Sequence, residues 1–318
     1  MMRPIVALAA LSLLAACVRT AATENEPQPS SRYTFWRPAP VEGAPDPAAV
    51  IAGSAAADWR AIDPDNLLVM DLAEGRVVIE LAPDFAPVHV ANIRRYARAG
   101  SWSAASIYRV QENYVTQWGN GDSEVPVPEG VVELPPAEYE RPLAGLSVRP
   151  LGFPDSYAPM AGHANGWPVA YDPERGEAWL PHCFGTVGVA RGLHPDTGSG
   201  AELYTIIGHA PRALDRNIAT VGRVIEGMGL LSARPRGTGN LGFYSADAGE
   251  TPIPIRAVRL AADMPAAERP QFEVMRTESD AYTSYVTGLA NRGGEFFRRP
   301  AGGLDLCNAR VPVRRKPA

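Results

Sequence analysis

Apolar residues in the middle of the chain come in short runs that turn-forming residues separate. The runs at 67–72 and 76–81 flank a turn at Glu74-Gly75, which is the pattern of a β-hairpin. Other runs of strand length lie at 106–110, 114–118, 178–189, 203–207, 220–224 and 253–261. So many short runs joined by tight turns predict an all-β or β-rich domain of seven or eight strands.

Helical spacing replaces strand spacing in three segments. Between Pro87 and Gly100, apolar residues recur every three to four positions, which predicts a short amphipathic helix over 88–99 that plugs the end of a barrel. A second short helix is predicted over 226–233. A third is predicted over 281–291, in the C-terminal region.

The N-terminus has the features of a bacterial export signal. One Arg lies among the first four residues, and the mostly apolar run 5–16 that follows is too short to span a bilayer as a mature helix. The Leu-Ala-Ala-Cys sequence that ends at Cys17 resembles the lipobox of bacterial lipoproteins, in which the Cys is acylated and becomes the first mature residue. We therefore expect a signal peptide at 1–17 and a lipid anchor at Cys17. An ordinary signal peptide with an incidental Cys is the alternative.

The residues after Cys17 indicate where the anchor would lie. Val18, rather than Asp, follows this Cys, which resembles lipoproteins sorted to an outer membrane. The expected location is therefore the periplasmic face of a bacterial outer membrane. Residues 18–62 are expected to form a tether and an N-terminal extension, because small and polar residues dominate 18–32.

The main domain is expected to span 63–263 and to be followed by a C-terminal extension at 264–318 that holds one helix. A long inserted loop is expected at about 121–183, where the chain is Pro-rich and has little periodicity. Loops of this length are usually functional or serve as partner surfaces. A surface for a specific periplasmic client and padding around Cys183 both remain open for this insertion.

Composition and residue spacing argue against nucleic-acid, metal and dinucleotide binding. The 318 residues are 46% hydrophobic, which is enough for a real core. The net charge of −5 shows no basic stripe, so nucleic acid is not an expected partner. The histidines lack zinc-ligand spacing, and the G-x-G-x-x-G match at 237–242 lacks a βαβ context. We therefore expect no metal and no cofactor, and we interpret 237–242 as a flexible turn.

Two cysteines remain once Cys17 is assigned to the anchor. Cys183 and Cys307 are an even pair in an oxidising compartment, which predicts a disulfide that clips the C-terminal extension to the barrel. Two separate buried thiols are the alternative, because pairing requires Cα atoms within about 7 Å of each other.

Six motifs, in order over residues 66–262, resemble the cyclophilin family. Ile107-Tyr108-Arg109-Val110 and the segment 114–120 are similar to its Phe-His-Arg-Val and Phe-x-x-Gln-Gly-Gly-Asp, and the eight-residue interval from Arg109 to Gln117 is retained. The other resemblances are to Gly-x-x-x-Met-Ala-Asn at 185–191, Gly-Ser-Gln-Phe-Phe at 200–204, Leu-Asp at 214–215 and Phe-Gly-x-Val-x-x-Gly-Met at 221–228.

The resemblance implies an eight-stranded antiparallel barrel capped by two helices, with peptidyl-prolyl cis-trans isomerase activity in a groove on its outer face. Its expected partners are proline-containing segments of exported proteins, and the enzyme is expected to be a monomer. The X-Pro amide has a rotation barrier of about 18–20 kcal/mol because its C–N bond has partial double-bond character. A guanidinium near the prolyl nitrogen can stabilise the transition state in which amide resonance is broken.

The resemblance also assigns site residues by matching position. Arg109 is the donor that breaks amide resonance, and Gln117 hydrogen-bonds the substrate backbone beside it. The expected residues of the proline pocket are Tyr114, Val115, Tyr204 and Leu214, and the expected peptide-binding positions are the backbone around Ala190 and Arg191, together with Glu202. For an arbitrary Arg, the alternative to a catalytic role is a surface cation in an ion pair.

Several positions depart from the family pattern. The departures are Tyr108 for His, Tyr114 and Tyr204 for Phe, Glu202 for Gln, and Ile218 for a His at the pocket rim. Glu202 either forms an ion pair with Arg109 that competes with substrate or orients the guanidinium. Two rival functions therefore stay open: a peptide-binding or scaffolding lipoprotein that has lost useful turnover, and a structural β-barrel lipoprotein without a peptide groove.

Overall fold

The computed structural model of the chain describes residues 39–121 and 123–317. The expected signal peptide and the expected lipidation site, Cys17, lie outside these residues. Within the two described ranges, no helix has both the length and the apolar character needed to cross a membrane.

Short strands dominate the described part of the chain. The strands are Trp59–Ala61 (β1), Leu67–Asp71 (β2), Arg76–Leu81 (β3), Ser106–Val110 (β4), Val115–Gly119 (β5), Arg141–Pro142 (β6), Arg149–Pro150 (β7), Met160–Ala164 (β8), Trp167–Asp172 (β9), Glu177–Trp179 (β10), Thr186–Val189 (β11), Leu203–Ile206 (β12), Thr220–Glu226 (β13), Ile253–Pro254 (β14), Ala257–Leu260 (β15), Phe272–Met275 (β16) and Val313–Arg315 (β17). The α-helices are Pro47–Gly53 (α1), Pro87–Arg98 (α2), Met228–Ser232 (α3) and Asp280–Ala290 (α4). The last three correspond to the helices predicted from apolar spacing.

Nine strands form one antiparallel sheet in the order β14-β4-β5-β12-β11-β13-β3-β2-β15. Its edge strands, β14 and β15, are consecutive in the chain. Between them, the N–H of Ile255 donates to the carbonyl of Ala105, next to β4, at 2.9 Å. The N–H of Arg256 donates to the carbonyl of Asp71, in β2, at 2.8 Å. The segment 253–260 therefore closes the sheet into a barrel. It forms two strands rather than one because the chain bends between β14 and β15.

Strands and helices together fill the barrel interior. The hairpin of β2 and β3 turns alternate side chains inward, such as Leu68 and Ile79, and both are fully buried. Val90 and Ile93 of α2 and Leu231 of α3 belong to the same apolar cluster. Burial of a side chain of this size contributes about 1.5–3 kcal/mol to stability. The two helices are thus part of the barrel core.

A residue of the insertion caps the first turn of α2. The Glu138 carboxylate accepts hydrogen bonds from the backbone N–H groups of Val88 and His89, at 2.8 and 3.0 Å, and contacts the His89 ring at 2.6 Å. Burial alone would raise the pKa of Glu138, but the bonds from His89 and Val88 hold it below its usual value. The negative charge also interacts favourably with the N-terminal end of the helix. The insertion is therefore tied to the barrel at this point.

The insertion contains a second sheet. Between residues 141 and 179, five short strands form an antiparallel sheet in the order β6-β10-β9-β8-β7. The expectation of a loop did not include this sheet, because Gly162 in β8 and Pro168 in β9 interrupt the apolar alternation by which strands are recognised. Trp167 of β9 packs with Phe85 of the barrel in a separate apolar cluster.

The two chain extensions fold together. β1 pairs with β16, and β16 pairs with β17, in a three-stranded antiparallel sheet, while α1 contacts α4. Apolar side chains of these elements, including Trp59, Phe272 and Tyr282, share one cluster with Leu67 and Val69 of β2. Since Leu68 and Met70 of β2 belong to the interior cluster of the barrel, this strand is buried on both faces from Leu67 to Met70.

The structure contains the expected disulfide between Cys183 and Cys307, whose Cα atoms are 5.1 Å apart. Cys183 ends the insertion, and Cys307 lies in the C-terminal extension. The bridge therefore connects two parts of the chain that are separated by 124 positions.

Replacing both cysteines with Ala is expected to lower the free energy of unfolding by about 2–5 kcal/mol, because the unfolded chain gains freedom when this long loop is open. Urea unfolding of the variant and of the wild type, with and without reductant, measures the difference. The variant should respond to reductant only weakly. Thiol titration of the denatured wild type should detect neither Cys183 nor Cys307, and equal stability of the oxidised and reduced wild type would contradict a structural role for the bridge.

Candidate functional site

Four residues form a row across the outer face of the barrel. Arg109 in β4 is opposite Gln117 in β5, Gln117 is opposite Tyr204 in β12, and Tyr204 is opposite Gly188 in β11. Directly opposed residues share one face of a sheet. Trp118, next to Gln117, belongs to the interior cluster. The row therefore lies on the outside.

A β-bulge in β4 adds one more side chain to this face. The pairing of β4 with β5 shifts between Ile107 and Arg109, so Tyr108 lies between two register positions. The Tyr108 hydroxyl accepts from Nε2 of Gln117 at 2.8 Å and donates to Glu202 at 2.6 Å. Tyr108 and Arg109 are adjacent in sequence, yet both reach the outer face.

Three acceptors hold the guanidinium of Arg109. Its Nε donates to the carbonyl of Leu241 at 2.8 Å. Nη1 donates to Oε1 of Gln117 at 2.9 Å, and Nη2 donates to Oε1 of Gln111 at 2.5 Å. Each terminal nitrogen carries a second N–H bond, for which no described residue provides an acceptor. The orientation of the guanidinium is therefore fixed while two donors remain for a bound peptide.

Two aromatic rings flank this guanidinium. The Cζ atom of Arg109 is 5.9 Å from the ring centroid of Tyr114 and 5.3 Å from that of Phe243. Burial lowers the pKa of Arg109, but Arg keeps its proton in proteins. The site thus combines a permanent positive charge with apolar surroundings.

An apolar cluster lies beside the guanidinium. Its buried members are Val115, Tyr204 and Ile206, and its half-buried members are Tyr114, Ala190 and Ile218. Three of the four expected pocket residues are therefore brought together. Leu214 is half-buried in the 3₁₀ turn Arg212–Leu214 and is not a member of this cluster of described residues.

The backbone next to the pocket is partly used within the protein. The N–H of Ala190 donates to the carbonyl of Glu202 at 2.9 Å, so it is already used within the protein. The side chain of Arg191 donates from Nε and Nη2 to the carbonyl of Asn217, at 3.2 and 2.9 Å. This side chain therefore braces the loop that contains Asn217.

Both carboxylate oxygens of Glu202 accept hydrogen bonds. Oε1 accepts from the N–H of Asn120 at 2.9 Å and of Gly121 at 3.2 Å, and Oε2 accepts from the Tyr108 hydroxyl at 2.6 Å. Gly119 makes room for this carboxylate, since a Cβ there would lie 2.0 Å from Oε2. Burial and the charge of Glu202 both raise the pKa of Tyr108, so its hydroxyl stays protonated and can donate.

A chain of hydrogen bonds connects Glu202 to Arg109 through Tyr108 and Gln117. Because Tyr108 donates to Glu202, its oxygen accepts from Nε2 of Gln117. Because that nitrogen points to Tyr108, the amide oxygen of Gln117 faces Arg109. Of the two roles considered for Glu202, these contacts support orientation of the guanidinium.

Sequence reasoning missed three residues that contact Arg109: Gln111, Leu241 and Phe243. Leu241 has φ 55° and ψ 20°, a left-handed conformation that costs a non-Gly residue about 1–2 kcal/mol. Its carbonyl accepts the Arg109 Nε bond. The sequence indicates a turn at 237–242, but no local pattern shows that this turn folds back onto β4.

Comparison with known proteins identifies the family. Residues 67–241 match the model described as cyclophilin type peptidyl-prolyl cis-trans isomerase/CLD. Proteins from Brucella suis and Brucella abortus, each named probable peptidyl-prolyl cis-trans isomerase, are 25% identical over 178 residues, which cover 56% of this chain and 76% of theirs. The crystal structure of cyclophilin AquaCyp293 from Hirschia baltica is similar with a TM-score of 0.62 and 24% identity, over 80% of this chain and 92% of that chain. The expected all-β, cyclophilin-like fold class is confirmed.

Tyr108→Phe is expected to lower the free energy of unfolding by about 1–3 kcal/mol, because Glu202 loses its hydroxyl donor and Gln117 loses its acceptor. Chemical unfolding followed by circular dichroism measures this change. Tyr157→Phe is the matched control, since Tyr157 is exposed, and it should change stability by less than about 0.5 kcal/mol. Equal stability of Tyr108→Phe and the wild type would show that the hydrogen-bonded chain does not hold the site.

Proposed function

The chain belongs to the cyclophilin-type peptidyl-prolyl cis-trans isomerase family, and we propose that its substrates are X-Pro bonds in exported proteins of the periplasm. Arg109 is the catalytic residue in this proposal. The apolar cluster beside it receives the proline ring, and no metal or cofactor takes part.

The reaction requires only that amide resonance be broken. In the planar X-Pro amide, the nitrogen lone pair is delocalised into the carbonyl, which gives a barrier of about 18–20 kcal/mol. When the C–N bond is twisted, the lone pair returns to a pyramidal nitrogen. A donor that meets this nitrogen binds the transition state better than either planar isomer, and such differential binding accelerates the step.

The observation that carries the proposal is the arrangement of Arg109. Three acceptors fix its guanidinium, two terminal N–H groups remain, and the apolar cluster of Val115 and Tyr204 lies on the same outer face. A proline ring held in that cluster presents its nitrogen next to these N–H groups, while the preceding residue stays free to rotate. Because the donors are already oriented, little reorganisation is needed when resonance breaks.

Gln117 serves this arrangement as a positioning residue. Its amide oxygen accepts from Arg109 and its amide nitrogen donates to Tyr108. The second N–H of that nitrogen is the group by which Gln117 also hydrogen-bonds the substrate backbone.

Arg109→Ala is expected to lower kcat/KM by about a hundredfold or more, because it removes the only group in the described site that meets the prolyl nitrogen with a charged donor. Arg109→Lys should recover little, because an ammonium cannot satisfy three acceptors and still present two oriented donors. A protease-coupled isomerisation assay on an X-Pro peptide measures the rates. Arg175→Ala, at an exposed position in the insertion, is the control and should retain the wild-type rate.

Equal rates for the wild type and Arg109→Ala would remove this guanidinium from the mechanism. Tight peptide binding by a wild type without turnover would instead support the scaffolding function. Binding titrations with the same peptide, followed by NMR, distinguish these two outcomes.

The location of the protein is the second part of the proposal: an anchor at Cys17 on the periplasmic face of the outer membrane, carrying a monomeric enzyme. The Leu-Ala-Ala-Cys sequence and Val18 support the anchor. The disulfide between Cys183 and Cys307 supports an oxidising compartment.

Cells that express the wild type and are fed radiolabelled palmitate should incorporate the label into the protein, whereas Cys17→Ser should incorporate none, because the acylated thiol is absent. Cys307→Ser is the control and should keep the label. Label in Cys17→Ser, or none in the wild type, would contradict the anchor.

A further inference from the structure

Tyr204 carries a hydroxyl into the apolar part of the site. Its side chain packs with Val115 and Ile206, and the residue is only 5% exposed. A hydroxyl buried among apolar groups is costly unless it is hydrogen-bonded. The location of its partner therefore determines which way the Tyr204 ring is held.

The partner is His182, at the end of the insertion. Its Nε2 atom lies 2.9 Å from the Tyr204 hydroxyl, and the His182 side chain is fully buried. The hydroxyl passes over Gly188 of β11, where a Cβ would lie 2.3 Å from the hydroxyl oxygen. The tyrosine is therefore directed across the neighbouring strand, away from Arg109 in the row on the outer face.

Asp215 fixes the imidazole. One of its carboxylate oxygens accepts from the backbone N–H of His182 at 2.9 Å and contacts Nδ1 at 3.0 Å. Burial alone would raise the pKa of Asp215, but hydrogen bonds from His182 and Arg212 hold it below its usual value. Because a carboxylate only accepts, Nδ1 carries the proton. In the neutral imidazole with this tautomer, Nε2 is the acceptor and Tyr204 donates to it.

Asp155 and Trp179 of the insertion, together with Arg212, complete the arrangement. Arg212 donates from Nε to the second oxygen of Asp215, and it makes two further bonds to Asp155, at 2.9 and 3.1 Å. Trp179 also donates to Asp215 at 3.4 Å. Asp155, Trp179 and His182 all belong to the insertion. The insertion therefore reaches the back of the pocket.

We propose that His182 is a positioning residue of the proline pocket, which holds the hydroxyl of Tyr204 over Gly188 and so keeps the pocket apolar. This role rests on the proposed function, since it assumes that a proline ring binds at Tyr204. Without Nε2, no described residue is left as a partner for the hydroxyl. The Tyr204 ring or a water molecule then enters the space that the proline ring needs. The ring is bound both before and during rotation, so the loss appears in KM rather than in kcat.

The test compares His182→Leu with the double variant His182→Leu/Tyr204→Phe. His182→Leu should raise KM, and the peptide Kd measured by NMR titration, about tenfold while kcat changes less than about threefold. The double variant should bring both constants back to within about twofold of the wild type, because no hydroxyl remains to be satisfied. Wild-type constants in His182→Leu, or failure of the double variant to recover them, would overturn the proposal.

His163→Leu is the matched control for a merely structural effect. His163 is also buried in the insertion, and its ring makes one hydrogen bond to the carbonyl of Ala309 at 2.9 Å. This variant should lose stability without a change in KM or Kd. If KM rises equally in both variants, His182 has no specific role in the pocket.

A measurement on the wild type keeps the test decisive if His182→Leu does not fold. Long-range ¹H–¹⁵N NMR spectra at neutral pH should show His182 as the neutral tautomer with the proton on Nδ1, and a proton on Nε2 would overturn the proposal. Absence of turnover in the wild type would contradict the proposed function but not the role of His182. The peptide Kd values of the variants would still test whether His182 positions Tyr204.

Discussion

One segment, residues 253–260, pairs with β4 at its start and with β2 at its end, and the geometry of the site depends on the closure of the barrel that results. In a closed antiparallel sheet, strand register and side-chain alternation decide together which residues face outward, and a slip of one residue would turn a side chain to the other face. Closure therefore keeps Arg109, Gln117 and Tyr204 opposite one another on the outside. The apolar interior, to which α2 and α3 contribute, makes any other register unfavourable because it would bury charged groups.

The extension sheet and the insertion both pack on the barrel, but they differ in whether they contact the site. The sheet formed by the two extensions covers β2 and shares an apolar cluster with Leu67 and Val69, and the residues that hydrogen-bond to the Arg109 guanidinium all lie outside the extensions. The insertion instead contacts the barrel at Glu138, which caps α2, and at His182, which reaches Tyr204 in the site. A client surface and padding around Cys183 were the two roles considered for the insertion. The contacts of Glu138 and His182 are those of a third role, structural support of the barrel.

Local patterns in the sequence were sufficient for the β-rich domain and its short helices, and the motifs that resemble the family supplied the barrel and part of the site. The hairpin at 67–81, the α2 periodicity and the interval between Arg109 and Gln117 each depend on residues that are close in sequence, so they can be recognised without coordinates. The insertion sheet could not be recognised, because its strands are short and contain Gly and Pro. The Leu241 carbonyl was missed for another reason: it approaches Arg109 across 132 positions, and no local spacing encodes such a contact.

Two departures from the family pattern, Tyr108 and Tyr204, each have a hydrogen-bond partner that explains them. Tyr108 places a hydroxyl where the pattern has His, and Glu202, another departure, accepts that hydroxyl. Tyr204 places a hydroxyl where the pattern has Phe, and His182 lies within hydrogen-bonding distance of it. An unsatisfied buried hydroxyl would cost about 1–3 kcal/mol in each case. The site therefore stays intact after a motif residue is replaced when a second residue hydrogen-bonds the new polar group. For this reason the guanidinium of Arg109 stays fixed although several of its neighbours differ from the family pattern.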